Sequence, residues 1–327
     1  MDHGKVLKRA WHIVWRYRAL WVFGFILALT AGRGSNNWVQ YTFGNEDFSG
    51  RGLRLERIPP NIGSILLAIG IGLACLIVLL IIVAAIARYM AVTALIRMVD
   101  DHEETGQKRS VRQGFRMGWS RSAFRLFLIQ LIVGLPTALV FILLFGLALA
   151  PLLLWATEVE AARVIGTVAT LGLFIPIVLL AIIVGVVLSV FMKFFWRACV
   201  LEGLGVTAAI RQGYAVVRQN LKDVGLMWLI MLGLRIGWVI VMIPVVLLLL
   251  VVSGAVGGLL ALLAGGLTGL AFEGPTPWIV AAVVGIPIFI LVMVAPLAFL
   301  GGLFEVFLSS TWTLTYRELR AKAAPMA

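Results

Sequence analysis

Charged side chains are scarce in this sequence of 327 residues. Only 13% of its residues are Asp, Glu, Lys or Arg, whereas 62% are hydrophobic. A soluble domain needs roughly a quarter of charged residues to cover its surface. The shortage excludes a soluble globular protein and predicts an integral membrane protein. The alternating apolar and polar pattern of a membrane β-barrel is also missing, so the spans are predicted to be helices.

The residue types that most often bind metals or catalyse reactions are scarce as well. There are two cysteines and three histidines. The histidines do not have the H-E-x-x-H spacing of zinc peptidases, and a Walker loop, a dinucleotide fingerprint and a G-x-S-x-G elbow are absent. Cys75 lies inside a predicted span and Cys199 at the end of another, so we expect no disulfide. The sequence therefore predicts a protein that is not an enzyme and that binds no cofactor or metal ion.

One acidic cluster, DDHEE at residues 100–104, stands out against this background. Its carboxylate oxygens are ligands of the kind that a divalent cation prefers. The alternative is a solvated acidic turn beside basic residues, between a predicted span and a predicted short helix. We favour the acidic turn.

Long apolar runs make up most of the remaining sequence. A helix needs about 20 apolar residues to cross a bilayer, and the runs predict an all-α, polytopic bundle of about six transmembrane spans in a single membrane domain, residues 1–327. The first span is short, and its helix could begin earlier, in the aromatic segment WHIVWRYR. The Gly-rich run at 253–272 is predicted to be a re-entrant or interfacial helix, with two further spans as the less favoured alternative. The predicted spans are 19–31, 64–87, 126–154, 164–192, 224–252 and 278–304.

The formal net charge of +12 is concentrated in a few segments. Five Lys and Arg residues lie in 1–18, eight in 88–125, five in 193–222 and three in 317–327. These segments flank alternate ends of the six spans, so they share one side of the membrane. The positive-inside rule puts them, with both termini, in the cytoplasm. Topology and anionic lipid headgroups account for the charge, so nucleic acid is not needed as a partner.

A short basic motif recurs at intervals of about a hundred residues. LKRAW (7–11), VRQGF (111–115) and IRQGY (210–214) each precede an apolar run. We therefore interpret the chain as three pseudo-repeats, 1–108, 109–204 and 205–327, each led by a cytoplasmic amphipathic helix. Ser110 and Gln113 form an S-x-x-Q capping box that predicts the start of the second of these helices.

The three short helices are predicted to combine a row of large apolar residues with flanking basic residues. Such a helix suits the membrane interface, where its apolar row meets acyl chains or the spans and its arginines meet phosphates. Simple anchoring of the topology by positive charge is the alternative. The predicted apolar rows are Val111, Phe115 and Trp119 in the second copy and Ile210, Tyr214, Val217 and Leu221 in the third. The residues predicted to contact lipid or a partner are Arg9, Arg112, Arg116, Arg211, Arg218 and Lys222.

Two charged residues are predicted to lie at membrane depth. Arg235 follows Lys222 in the fifth span, and Glu305 precedes Arg317 in the sixth. At 1.5 Å per residue, both lie about 18–20 Å from the charge that flanks their own span. An unpaired charge at that depth costs at least about 2.5 kcal/mol. We therefore predict an ion pair between Arg235 and Glu305, which acts either as a structural contact or as a gate for a proton or substrate.

Three segments carry a resemblance to known proteins. They are RMVDDHEETGQKRSVRQGFRMGW after the second span, RACVLEGLGVTAAIRQGYAVVRQNLKDVG after the fourth, and STWTLTYREL near the end. In these segments the chain resembles a group of bacterial six-span membrane proteins related to the membrane domain that accompanies some glycerophosphodiester phosphodiesterases. The resemblance implies the fold and topology and a location in the bacterial inner membrane. It does not imply phosphodiesterase activity, because the soluble catalytic barrel of that enzyme is not in this sequence.

These patterns predict a non-enzymatic membrane component that contacts lipid or stabilises a larger membrane assembly. Anionic lipids and a membrane protein are the candidate partners, and the oligomeric state is not predicted. The alternative is a small-solute transporter or channel that uses the region of Arg235 and Glu305. A continuous polar cavity that reaches these residues would favour transport, whereas apolar grooves on the outside of a dry bundle would favour a lipid or scaffold role.

Overall fold

Helices form almost all of the structure. A computed structural model describes residues 1–31, 60–157, 159–272 and 274–323. In these ranges there are nine α-helices, one short 3-10 helix and no β-strand. The prediction of an all-α protein is confirmed.

Short helices of 14, 8 and 14 residues come first, fourth and seventh along the chain. We call the short helices α1, α4 and α7 the collar helices. A 3-10 segment, Ala150–Ala156, follows α5. The helices are α1 (His3–Arg16), α2 (Ala19–Ala31), α3 (Pro60–Thr105), α4 (Val111–Gly118), α5 (Arg121–Leu149), α6 (Glu160–Leu201), α7 (Val206–Gln219), α8 (Leu221–Gly269) and α9 (Thr276–Ala323).

Five helical segments are long and apolar enough to cross a membrane, and the bent pair α1 and α2 would make a sixth span. The number is therefore five, or six if the bent pair is counted as one span, against about six expected spans. Their most apolar stretches are between 0% and 6% buried inside the protein. Apolar surface of this extent is normally covered by another phase or another chain, so the long helices are consistent with a membrane protein.

The buried core lies at one end of the bundle, which we call the collar end. Here the C-terminal parts of α3, α6 and α9 contact one another, and each is covered by one collar helix. Helix α4 packs on α3, α7 packs on α6, and α1 packs on α9. The first collar helix thus contacts the last long helix, and this contact closes the three units into a ring. Large core residues that are fully buried include Leu95, Phe194, Leu314 and Tyr316.

The helix of the first predicted span, α2, begins at Ala19 and not in the segment WHIVWRYR. Residues 11–16 of that segment belong to α1, whose axis makes an angle of 99° with that of α2. Tyr17 leaves the helical conformation, with φ −114° and ψ 72°. The indole N–H of Trp21 donates to the carbonyl oxygen of Val14 at 2.7 Å, which holds the two helices at this corner. The aromatic segment is therefore a separate collar helix.

Helix α4 begins where the capping box predicts. The backbone N–H of Gln113 donates to the Ser110 hydroxyl at 3.4 Å, and the backbone N–H of Ser110 donates to the Gln113 side chain at 3.0 Å. Both halves of the capping box are present, so the predicted start is confirmed.

The Gly-rich run at 253–272 does not form a separate re-entrant or interfacial helix. Helix α8 continues without a break to Gly269 and packs along α9. A Cβ atom on Gly257 would lie 3.0 Å from the carbonyl oxygen of Gly285, and one on Gly285 would lie 2.6 Å from the Cβ of Ala261. Glycine serves here to bring two helices into backbone contact. A sequence pattern does not distinguish this use of glycine from a helix break.

The α-helix of the third predicted span ends at Leu149, before the predicted residue 154. Pro151 has no N–H to donate, so it cannot form the next helical hydrogen bond. The N–H of Ala150 donates to the carbonyl oxygen of Leu147, three residues back, and the chain continues as the 3-10 segment.

Candidate functional site

A small residue occupies the same position in each of the three collar motifs. Ala10, Gly114 and Gly213 are all buried. A Cβ atom on Gly114 would lie 2.5 Å from the sulfur of Met98 in α3, and one on Gly213 would lie 3.0 Å from the backbone nitrogen of Phe195 in α6. Helix α7 therefore packs on α6 through nearly direct backbone contact, whereas Gly114 of α4 packs closely against the side chains of Met98 in α3 and Phe23 in α2.

The predicted rows of large apolar residues lie beside this packing face. Trp119 is 72% exposed, and Tyr214 and Leu221 are also exposed. Helix α7 ends at Gln219, so Leu221 and Lys222 belong to α8 and not to the collar helix. Tyr214 nevertheless stacks on Phe191 of α6, with 5.7 Å between the ring centres, and Val217 is buried in the core. The rows therefore meet the long helices in part, and Trp119 and Leu221 are their most exposed members.

The six basic residues predicted to contact lipid or a partner are all exposed. Arg9 forms ion pairs with Glu103 and Glu318, so it joins α1 to α3 and α9. The other five form no ion pair or side-chain hydrogen bond with a described residue. They are Arg112, Arg116, Arg211, Arg218 and Lys222.

The acidic cluster at 100–104 is engaged in ion pairs with arginines from other parts of the chain. The Nε of Arg109 donates to the carboxylate of Asp101 at 2.7 Å. That hydrogen bond raises the pKa of the Arg109 guanidinium. The cluster therefore joins α3 to α1, to α9 and to the loop before α4. The ion pairs are Arg317 with Asp100 and Glu104, Arg109 with Asp101, and Arg9 with Glu103.

The ion pair predicted between Arg235 and Glu305 is not among the ion pairs that the described residues form. Arg235 is exposed on α8, and Glu305 is half-buried on α9. A third charged residue in an apolar stretch, Lys193 of α6, is half-buried.

Among the residues that the structure describes, the most buried charged side chain is that of Arg197, which the sequence analysis did not single out. Its side chain is 4% exposed, between α6 and α9. One guanidinium nitrogen donates to the carbonyl oxygen of Lys193 at 2.8 Å and another to that of Ser309 at 2.9 Å. The Nζ of Lys193 lies 4.5 Å from the centre of the Trp312 ring. The sequence contains a signal for this group, because Lys193 and Arg197 are four residues apart in an otherwise apolar segment.

A second group of residues joins the ends of α6 and α9. The hydroxyl of Tyr316, which is fully buried, donates to the carboxylate of Glu202. Arg320 lies 3.4 Å from the same carboxylate. The sequence analysis did not identify this group, because its members are more than a hundred residues apart.

Two cavities lie at the corners between collar helices and the helices that follow them. One, of about 410 Å³, is lined by residues 218–223 between α7 and α8. The other, of about 730 Å³, lies between α3 and the corner of α4 and α5, and most of its lining is apolar. Neither cavity is lined by Arg235 or Glu305. The larger one is an apolar groove of the kind expected for a lipid or scaffold role.

Comparison with known proteins gives one match. Residues 13–315 match a family model described as a family of unknown function, DUF7544. No curated protein and no solved structure matches the chain. The resemblance to membrane domains of glycerophosphodiester phosphodiesterases therefore stays a prediction. Because the match covers nearly the whole chain, this protein belongs to the DUF7544 family.

Proposed function

We propose that this chain is a non-enzymatic integral membrane protein that contacts anionic lipids at its collar end and acts as a scaffold or accessory component of a membrane assembly. The observation that carries this proposal is the set of five exposed basic residues on α4, α7 and the start of α8 that have no acidic partner among the described residues. The acidic residues at 100–104 already pair with other arginines. The five cations are therefore available to a ligand outside the chain.

The proposal puts α1, α4 and α7 on the cytoplasmic surface of a bacterial inner membrane, with both termini on that side. Its support is the order of elements, in which the collar helices come first, fourth and seventh. Two long helices follow the collar helix in the second and third units, whereas α2, of 13 residues, and the longer α3 follow it in the first. This order agrees with three pseudo-repeats. The exposed apolar parts of the long helices would lie in the bilayer, and Trp119 would lie at the interface, where indole rings are favoured.

Phosphate is the group that would satisfy the five cations. Guanidinium groups form charge-assisted hydrogen bonds with phosphate oxygens. Each basic residue near an anionic membrane surface gains about 1 kcal/mol of attraction. If the basic residues only set the topology, their charge is sufficient and anionic lipid need not stabilise the fold. If the folded collar end binds lipid headgroups, anionic lipid should stabilise the folded protein.

Lipid-dependent unfolding tests this proposal. The purified protein is placed in nanodiscs of phosphatidylcholine with or without phosphatidylglycerol, and thermal unfolding is followed. We expect phosphatidylglycerol to raise Tm, and we expect the increase to be lost in a variant with Arg112→Gln, Arg116→Gln, Arg211→Gln and Arg218→Gln. Arg163→Gln is the control, because Arg163 is an exposed cation at the opposite end of α6. The same gain in Tm for the quadruple variant and the wild type would overturn the proposal.

Transport of a small solute is the second candidate. The observation in its favour is that Lys193, Arg235 and Glu305 are charged residues within otherwise apolar stretches of α6, α8 and α9. Solute-dependent shifts in Tm that disappear in Glu305→Gln would support it. Membrane proteins that co-purify in mild detergent and are identified by mass spectrometry would support the scaffold role.

A further inference from the structure

An apolar groove opens between α3 and the corner that joins α4 to α5. Its volume is about 730 Å³, within the range of about 300–1,000 Å³ that is typical of small-molecule sites. Tyr89, Ser120 and Arg121 are its polar lining residues. The other lining residues are apolar or glycine, and they include Ile82, Ala85, Ile86 and Phe124.

The polar end of the groove has unused hydrogen-bonding capacity. The hydroxyl of Ser120 is buried and has no hydrogen-bond partner among the described residues. Ser120 is the N-cap of α5, yet its hydroxyl does not accept the hydrogen bond from a backbone N–H of the first helical turn that is usual at that position. Arg121 is exposed and forms no ion pair with a described residue. These groups lie at the start of a helix, where the backbone N–H groups and the helix dipole also favour an anion.

The groove lies at the level where two predicted spans end. The second predicted span ends at residue 87 and the third begins at residue 126, and the groove is lined by residues from 81–90 and 118–127. Ile82, Ile86 and Phe124 are exposed beside it. The groove is therefore continuous with the apolar surface of the spans at one end and with the basic collar at the other.

We propose that this groove binds one anionic diacyl phospholipid. An acyl chain would lie against Ile82, Ile86 and Phe124, and the phosphate would bind at Ser120 and Arg121. This inference rests on the proposed function, because it requires the collar end to lie at the membrane surface. Charge complementarity favours a lipid over a helix of another protein: the groove is apolar along its length, and its polar end offers a cation and a free hydroxyl with no carboxylate in the lining.

Native mass spectrometry of the full chain in detergent tests the site. Phosphatidylglycerol or phosphatidylcholine is titrated, and the affinity of the first bound lipid is measured. We expect Ala85→Phe to fill the groove and to weaken binding of phosphatidylglycerol by at least about tenfold. We expect Arg121→Ala to weaken binding of phosphatidylglycerol while binding of phosphatidylcholine stays unchanged. Ala138→Phe is the control, because Ala138 is exposed on α5 outside the groove. Wild-type affinity in both groove variants would overturn the inference.

Photo-crosslinking distinguishes a lipid from a protein occupant. Ile82 is replaced by benzoylphenylalanine, and the crosslinked product from membranes is analysed by mass spectrometry. A phospholipid adduct supports the inference, whereas a polypeptide adduct overturns it.

The two proposals can fail separately. In one outcome, the variant with four substituted arginines loses the effect of phosphatidylglycerol on Tm, but Ala85→Phe binds lipid like the wild type. This outcome would support the proposed function and reject the groove as a lipid site. In the other outcome, Ala85→Phe binds lipid weakly, but the variant with four substituted arginines keeps the effect on Tm. That outcome would support the groove as a lipid site and reject the role of the collar arginines.

Discussion

The phenol of Tyr17 is hydrogen-bonded to both backbone polar groups of Arg109, which is 92 residues further along the chain. Its hydroxyl donates to the Arg109 carbonyl oxygen at 3.0 Å, and the Arg109 N–H donates to the phenol oxygen at 2.6 Å. Tyr17 is 2% exposed. The corner between α1 and α2 is thus fixed to the loop before α4, which links the first collar helix to the second.

Removing this hydroxyl is expected to destabilise the collar end. Tyr17→Phe keeps the ring but leaves the two backbone groups of Arg109 without a partner. The cost of unsatisfied buried groups is about 1–3 kcal/mol. We expect a lower Tm in detergent, measured by fluorescence-detected unfolding. Tyr214→Phe is the control, because Tyr214 is exposed on α7; an equal loss in both variants would contradict this role of Tyr17.

The glycines of the collar motifs are expected to tolerate no side chain. Gly114→Ala and Gly213→Ala each introduce a Cβ atom closer than normal contact to α3 or α6. Overpacking of this kind costs about 1–3 kcal/mol. Gly233→Ala on α8 is the matched control, because no atom lies within 4 Å of its Cβ position. Since alanine favours a helix by up to about 1 kcal/mol over glycine, this control should be neutral or stabilising. Equal Tm values for all three variants would refute the close packing.

Arg317 and Arg235 are expected to differ in their effect on stability. Arg317 forms ion pairs with Asp100 and Glu104, and it also donates to the backbone carbonyl oxygen of Asp100 at 3.1 Å. Hydrogen bonds to charged groups contribute about 1.5–3 kcal/mol, so Arg317→Ala should lower Tm. Arg235→Ala should change the free energy of unfolding in detergent by less than about 0.5 kcal/mol, because Arg235 is exposed and forms no ion pair with a described residue. A large loss of stability in Arg235→Ala would contradict this expectation and would support the direct ion pair between Arg235 and Glu305.

Single cysteines are expected to report the proposed topology. Cys75 and Cys199 are first replaced by alanine, and a cysteine is then introduced as Gln107→Cys, Gln219→Cys or Thr276→Cys, all at exposed positions. A membrane-impermeant maleimide should label the cysteines at 107 and 219 in inside-out vesicles, where the cytoplasmic side faces the reagent. It should label the cysteine at 276 only from the opposite side of the membrane. If positions 107 and 219 react on opposite faces, the proposed three passes out and back are wrong.

Patterns within a few residues were enough to predict the helical elements. Apolar runs of about twenty residues predict helices, because a backbone in such surroundings must satisfy its own hydrogen bonds within the segment. The capping box at Ser110 and Gln113 acts over three residues, and the structure confirms it. The structure has five long apolar helices, or six spans if the bent pair α1 and α2 is one of them, against about six predicted.

The contacts between helices were decided only by the tertiary structure. Asp100 meets Arg317, and Tyr17 meets Arg109, across distances in sequence that no periodicity covers. Gly114 lies on the packing face of α4, whereas the larger Trp119 is exposed. The physical reason is that helix formation depends on hydrogen bonds four residues apart, whereas packing depends on which backbones can approach closely and which charges then lose contact with water.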